Sequence, residues 1–331
     1  MTTATIERLT PLPRSAVLWL FSGGLALLLS GCSLVPDFRH RERFHNPLPQ
    51  LHRIAVLPFF NQSSEPTLNQ TAVAEAYYAE LQLIPGFEVL PVGVAAVAWD
   101  QFVALRGEPR EGADFQELAR FLGVDAVVVG AVTDYDPYSP PRLAMTVRWY
   151  AADPAFHPVP VGYGLPWGTK AEHQIPARIV LETELEVARQ QMEMLAVDAP
   201  GDPAVGSAVV APGSEPIAPG GEFVAPGGEL VAPGGELVAP GGGLVAPVLG
   251  EPVLTHTRLY RGDDPDFTER LADYVYALDD GRLGGWQGYL TRSDDFIRFC
   301  CRLHITEMLE MRGGRDKSDL ILRWPISRYW R

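Results

Sequence analysis

The chain has 331 residues, of which 47% are hydrophobic, and a formal charge of -14. The hydrophobic fraction excludes a wholly disordered protein, and the length allows one sizeable core with a second small unit or a large insertion. Nucleic-acid binding is not expected, because phosphate contacts need clustered Lys and Arg. Adhesion of so acidic a body to anionic lipid is not expected either, and three cysteines give no disulfide framework.

Residues 1–31 have the architecture of a secretory signal peptide. Arg8 and Arg14 form a weakly basic start, and an apolar run with two glycines extends from Ala16 to Leu29. A transmembrane helix is the alternative interpretation. It is disfavoured because the run is shorter than the roughly 18 apolar residues that a span needs.

The apolar run ends in Leu29-Ser30-Gly31-Cys32, which resembles the lipobox of bacterial lipoproteins. Small residues before the cut fit the peptidase, and only cysteine offers a thiol for a thioether to lipid. The resemblance implies cleavage between Gly31 and Cys32 and acyl chains such as palmitate on Cys32, which make attachment close to permanent. Ser33 in the sorting position favours the outer membrane, so we expect an envelope protein facing the periplasm.

Residues 32–52 predict a solvated tether, with three prolines, no sustained periodicity, and nearby Arg and acidic residues that nearly cancel. Residues 53–152 predict a compact α/β (α+β) unit, a small mixed sheet with helices on it. Its elements in order are a strand over 53–60, a helix over 71–84, a strand over 87–92, a helix over 94–105, a short helix opened by a capping box of Asp114 and Glu117, a buried strand over 125–132, and an antiparallel strand over 142–151.

Four segments of this unit, RIAVLPFFNQSS, FEVLPV, LARFLGVDAVVVGAVTDYD and PPRLAMTVRWY, resemble one group of envelope domains. The group comprises the TolB amino-terminal domain, curli-secretion (CsgG-like) lipoproteins and penicillin-binding-protein activator lipoproteins. The resemblance covers about 100 residues and implies a fold and an envelope protein partner, without naming that partner.

Residues 153–252 form an insertion, in which 177–195 has helical periodicity and about 211–247 hold a seven-residue repeat of the type APGGELV. Pro-Gly-Gly in each unit excludes a coiled coil. A flexible spacer is favoured over a stacked β-solenoid. Residues 253–331 predict a helical tail packed on the α/β unit, with a strand over 253–260, a helix from Asp264-Pro265 to Leu278, a loop over 281–288, and a long helix capped by Ser293.

No residues are assigned to catalysis, to a cofactor or to a metal. Adjacent Cys300 and Cys301 are interpreted as buried thiols rather than a redox or metal pair, because a vicinal bridge distorts the peptide and His304 is their sole nearby candidate ligand. Asp263, Asp264 and Asp266 resemble a fragment of a calcium loop. Helix capping explains them better, because the loop's glycine and terminal glutamate are missing.

The expected function is that of a non-catalytic, lipid-anchored adaptor or accessory protein for envelope assembly, secretion or cell-wall synthesis. Tyr135, Tyr138 and Arg142, at a Pro-rich hairpin, are the candidate partner contacts, with ordinary turn residues as the alternative. A subunit of an oligomeric secretion channel stays open, although the Pro-Gly repeat lacks the alternating strands of about 9–11 residues that a barrel needs. An envelope hydrolase with an unrecognised site is the second alternative.

Overall fold

The computed structural model of the protein describes residues 37–197, 250–280, 282 and 284–323. The described strands are β1 Asp37–Arg41, β2 Arg53–Val56, β3 Phe60–Asn61, β4 Glu88–Leu90, β5 Ala126–Asp136, β6 Arg142–Ala151, β7 Leu254–Arg261 and β8 Asp319–Arg323. The helices are α1 Gln70–Gln82, α2 Val92–Arg106, α3 Gly112–Leu122, α4 Ala177–Val197, α5 Pro265–Leu278, α6 Gly285–Thr291 and α7 Ser293–Glu310. The mixed α/β class expected from the sequence is confirmed.

The central sheet runs in the order β4-β2-β5-β6-β7, with β3 also paired to β5. Strands β2, β3 and β4 are parallel to their neighbours, whereas β6 and β7 join antiparallel. Strand β7 pairs with β6 from Arg142↔Arg261 to Trp149↔Leu254. The sheet therefore takes a strand from beyond the insertion, and residues 53–152 do not contain all of it.

The sheet has helices on both faces. Toward α1 and α7 it presents the alternate residues Leu143, Met145, Val147 and Trp149, all fully buried. Toward α2 and α3 it presents Ala55, Leu57 and Val127. Because side chains alternate along a strand, β2 and β5 supply both cores, and this double burial explains their continuous apolar sequence.

Several helix boundaries differ in detail from the sequence-based expectation. The capping box of α3 joins Glu111 to Asp114, and Glu117 instead pairs with Arg106 at 2.6 Å. Ser293 is the first residue of α7 and makes no cap, while α6 occupies part of the predicted 281–288 loop. Asp264 does cap α5, accepting a bond from the Asp266 backbone N–H at 3.0 Å.

The described part of the predicted tether is also structured. Strand β1 pairs with β8, and Phe44, Leu48 and Leu51 lie in the core. No helix or strand forms over these three residues, and long-range contacts rather than local periodicity create their burial. Residues 1–36, with Cys32, and the repeat lie outside the described residues. Among the helices described, none is long and apolar enough to cross a membrane.

Candidate interaction site

The hairpin between β5 and β6 separates the three predicted contact residues. Tyr138 stands at the tip with 77% of its surface exposed. Arg142 pairs with Asp134 at 3.1 Å on the half-exposed stem of the hairpin. Tyr135 points into the core, where burial raises the pKa of its hydroxyl. Tyr138 and Arg142 therefore remain accessible to a partner, and Tyr135 is a core residue.

A larger apolar surface lies on α4, in the insertion. Leu181, Leu185, Ala188 and Met192 are spaced by four, three and four residues, so they share one side of the helix. The three large side chains are 57% to 64% exposed. We call these four residues the α4 face.

A groove beside the α4 face separates it from the segment that precedes the helix. Trp167 forms one wall, and its indole Nε1 donates to the Gly162 carbonyl at 2.8 Å. Ile175, Val180 and Leu181 add apolar lining, and Glu172 and Glu184 add two carboxylates. The open volume is about 680 Å³. The groove thus has a lining that combines apolar and acidic side chains.

Ion pairs fix α4 to the body of the protein. The Arg178 guanidinium lies 3.3 Å from both Glu307 and Glu310 of α7. One turn along α4, Glu182 accepts a hydrogen bond from Arg258 of β7. Ile179, between them, is buried against the body. Because one side of the helix is held in this way, the α4 face is presented outward.

Glu307 is the centre of this ionic network. Its oxygens lie 2.6 Å from Arg270 Nη1 and 3.4 Å from Arg258 Nε, and the Tyr260 hydroxyl donates at 3.1 Å. Burial alone raises the pKa of the carboxyl, but the guanidinium groups of Arg270, Arg178 and Arg258 outweigh it and hold the pKa well below 4.5. Nε2 of His256 is 3.8 Å away, too far for a hydrogen bond. The Glu307 carboxylate is therefore ionised and has a structural role.

Comparison with known proteins identifies no family. No family model and no curated protein matches the chain. Solved structures include lipoprotein GNA1162 from Neisseria meningitidis, at 21% identity and TM-score 0.22, over 30% of this chain and 69% of that one. The LpoB C-terminal domain from Salmonella enterica matches at 15% identity and TM-score 0.22, over 29% and 70%. The hypothetical protein CT253 from Chlamydia trachomatis matches at 18% and 0.21, over 44% and 94%. Likenesses at this level do not establish a function.

The cysteines and His304 lie deep in the core, away from the α4 face. Cys300 and Cys301 are fully buried free thiols, and burial raises the pKa of each. The His304 ring is also fully buried, with Nε2 3.2 Å from the His256 carbonyl oxygen. No group of three or more His, Cys, Asp or Glu side chains suited to a metal occurs among the described residues.

The sequence contained the signal for the α4 face, but only in part. Helical periodicity over 177–195 predicts an amphipathic helix and favours burial of its apolar side. Among the apolar residues of α4 whose side chains the structure describes, only Ile179 is fully buried. The long-range ion pairs of Arg178 and Glu182 fix the helix to the body. Periodicity cannot distinguish an apolar side that packs inward from one that faces solvent.

Proposed function

We propose that this protein is a non-catalytic, lipid-anchored adaptor of the bacterial envelope. It is attached to the outer membrane, faces the periplasm and binds another envelope protein through the α4 face. The observation that carries the proposal is the exposure of Leu181, Leu185 and Met192 on a helix held in place by ion pairs from Arg178 to the buried Glu307 and Glu310. Clustered exposed apolar side chains of this kind mark interaction surfaces. The lipobox at Leu29–Cys32 supports the location.

The groove indicates the chemistry of the partner. Its apolar lining residues suit an apolar helix or extended segment, and Trp167 is of the residue type most often dominant in protein interfaces. Glu172 and Glu184 in the same lining favour basic residues beside the apolar ones. The partner segment is therefore apolar with flanking Lys or Arg.

We propose a non-catalytic protein because its ionisable groups are either paired with one another, buried in the core or exposed on an open surface. Glu307 and Glu310 of the main polar network are engaged by arginines, and His304 with both cysteines is enclosed in the core. The groove beside Trp167 contains Glu172, His173 and Glu184 on an open surface. A groove that is open to solvent does not provide the water exclusion that strengthens electrostatic catalysis.

Site-specific photo-crosslinking in the native envelope tests the proposal. A photoreactive residue at Leu185 is expected to capture one discrete protein, identified by mass spectrometry. The matched control places the photoreactive residue at Leu105 of α2, which is apolar and 71% exposed. It should not capture the protein that the probe at position 185 captures. A probe at Tyr138 tests the hairpin in parallel.

A second variant establishes that the α4 face is responsible. Leu181→Asp, combined with the probe at 185, should abolish the adduct while the folded protein persists. The purified partner must then bind the intact protein and not the Leu181→Asp form. Retention of the adduct would refute docking on this face, and a ladder of self-adducts would favour the oligomeric channel. Loss of the adduct in a Cys32→Ala form would show that docking needs the anchor.

A further inference from the structure

A second apolar surface lies on the small sheet of β1 and β8. Phe38 is cross-strand partner to Leu322, and His40 to Leu320, so these four side chains share one face of the two-stranded sheet. Phe38, Leu322 and Leu320 are 62%, 56% and 54% exposed. We call these four residues the β1–β8 face.

The opposite face of this sheet is held against α5. Arg39, between Phe38 and His40, places its guanidinium 2.5 Å from Asp273 and over the Tyr276 ring, 5.2 Å from the ring centre. On β8, Ile321 faces the same way and is partly buried. The sheet is thus oriented with its apolar residues outward.

The chain length from the lipobox limits where this face can be. Phe38 follows Cys32 by six residues. Six residues span at most about 20 Å when fully extended. If Cys32 is acylated and seated in a bilayer, the β1–β8 face cannot lie farther than about that distance from the lipid headgroups.

Local charge distinguishes this region from the rest of the protein. Residues 37–45 and 315–323 carry six Lys and Arg against four Asp and Glu, whereas the whole chain is at -14. Arg39 is paired with Asp273, Arg43 with Asp319 and Arg315 with Glu42. The region is therefore close to neutral and does not repel an anionic lipid surface as strongly as the acidic remainder of the chain does.

We infer that the β1–β8 face is a membrane-contact surface, which lies against the same bilayer that holds Cys32 and so fixes the orientation of the protein on it. Phe38, Leu320 and Leu322 sit at the boundary between headgroups and acyl chains. This inference rests on the proposed acylation of Cys32. It departs from the sequence-based expectation that the protein body avoids anionic lipid.

Fluorescence of the acylated, full mature protein in vesicles tests the inference. Single cysteines replace Phe38, Leu322 or, as a control, Leu259 of β7, which is apolar and 53% exposed. Each is labelled with an environment-sensitive dye, while the native Cys300 and Cys301 stay buried and Cys32 is blocked by lipid. The vesicles contain neutral phosphatidylethanolamine with a minor share of anionic phosphatidylglycerol, with or without bromine on the upper acyl chain.

Dyes at 38 and 322 are expected to shift to the blue and to be quenched several-fold by brominated lipid, and the dye at 259 to do neither. Equal behaviour at all three positions would overturn the inference. A blue shift without bromine quenching would also overturn it and would indicate a second protein copy as the occupant. Mass spectrometry of Cys32 separates these results from failure of the anchor, because a protein without acyl chains contradicts the proposed function itself.

Discussion

Glu307 on α7 and Arg270 on α5 form an ion pair of 2.6 Å inside a shell of other charges. The same carboxylate faces Arg258 of β7 and Arg178 of α4. Glu307 therefore connects strand β7, helices α5 and α7, and helix α4 of the insertion. The α4 face is positioned by this connection rather than by apolar packing along the whole helix.

Replacing the Glu307 carboxylate by an amide is expected to destabilise the protein strongly. In Glu307→Gln three guanidinium groups lose their shared counter-charge in a poorly hydrated site, which costs about 3 kcal/mol of unfolding free energy. The arginines keep some solvent contact, so the cost lies at the lower end of the range for buried pairs. Equilibrium unfolding in urea measures it.

Glu117→Gln is the matched control for that measurement. Glu117 pairs with Arg106 at the same 2.6 Å, but both side chains are exposed. Such a surface pair contributes at most about 1 kcal/mol. Equal losses in the two variants would show that burial does not set the strength of the Glu307 network.

Stability is expected to fall as the pH drops from about 7.5 toward 5. Burial, reinforced by neighbouring His256 and Arg258, lowers the pKa of His304 well below 6.5, and Glu307 opposes this only partly. Below pH 6.5 the unfolded chain therefore binds a proton that the folded protein does not. Each such histidine costs up to about 1.4 kcal/mol per pH unit. His256 acts in the same sense, since burial lowers its pKa too.

Urea unfolding at a series of pH values measures this dependence, and His304→Gln should flatten it. The Glu307 carboxylate adds to the loss only below about pH 4.5, since its folded pKa is depressed and its contribution disappears as the group becomes protonated. Unchanged pH dependence in His304→Gln, or stability that rises on acidification, would contradict the prediction.

Local patterns in the sequence were sufficient for much of the fold. The alternation of Leu143, Met145, Val147 and Trp149 predicted β6 and its buried face, since a strand repeats every two residues. Asp264-Pro265 predicted where α5 begins, because an Asp cap and a first-turn proline both act within one turn. These features depend on neighbours in sequence.

Features that depend on distant partners could not be predicted in the same way. Nothing local indicates that β7 joins β6 across the insertion, or that Phe44 and Leu51 enter the core. The sequence predicts Tyr135 as a partner contact at the hairpin, but β5 extends to Asp136 and its alternation turns that side chain inward. Whether an apolar residue is buried or exposed in such cases is decided by tertiary contacts.

Gly130→Ala is expected to disrupt the packing of strand β5 against the ring of Phe59. A Cβ at this position would lie 2.2 Å from the ring of Phe59, which is almost fully buried and has little room to move. Overpacking of this kind costs about 1–3 kcal/mol. In α2, Gly93→Ala meets no atom within 4 Å and should stabilise the protein by up to about 1 kcal/mol. Thermal unfolding of the two variants should therefore shift in opposite directions, and a shift of the same sign in both would contradict the argument.

The vicinal thiols are expected to be inert in the folded protein. Burial raises the pKa of both Cys300 and Cys301, and the thiolate is the reactive form of cysteine. A maleimide reagent at neutral pH should therefore modify neither residue in native protein and both in urea, as counted by intact mass. After treatment with a mild oxidant the two thiols should still be protected from the reagent. The intact mass should not fall by the two hydrogens that a Cys300–Cys301 disulfide would lose. Rapid native labelling, or an oxidised pair, would instead indicate a redox role and an opening of α7 that exposes its core side.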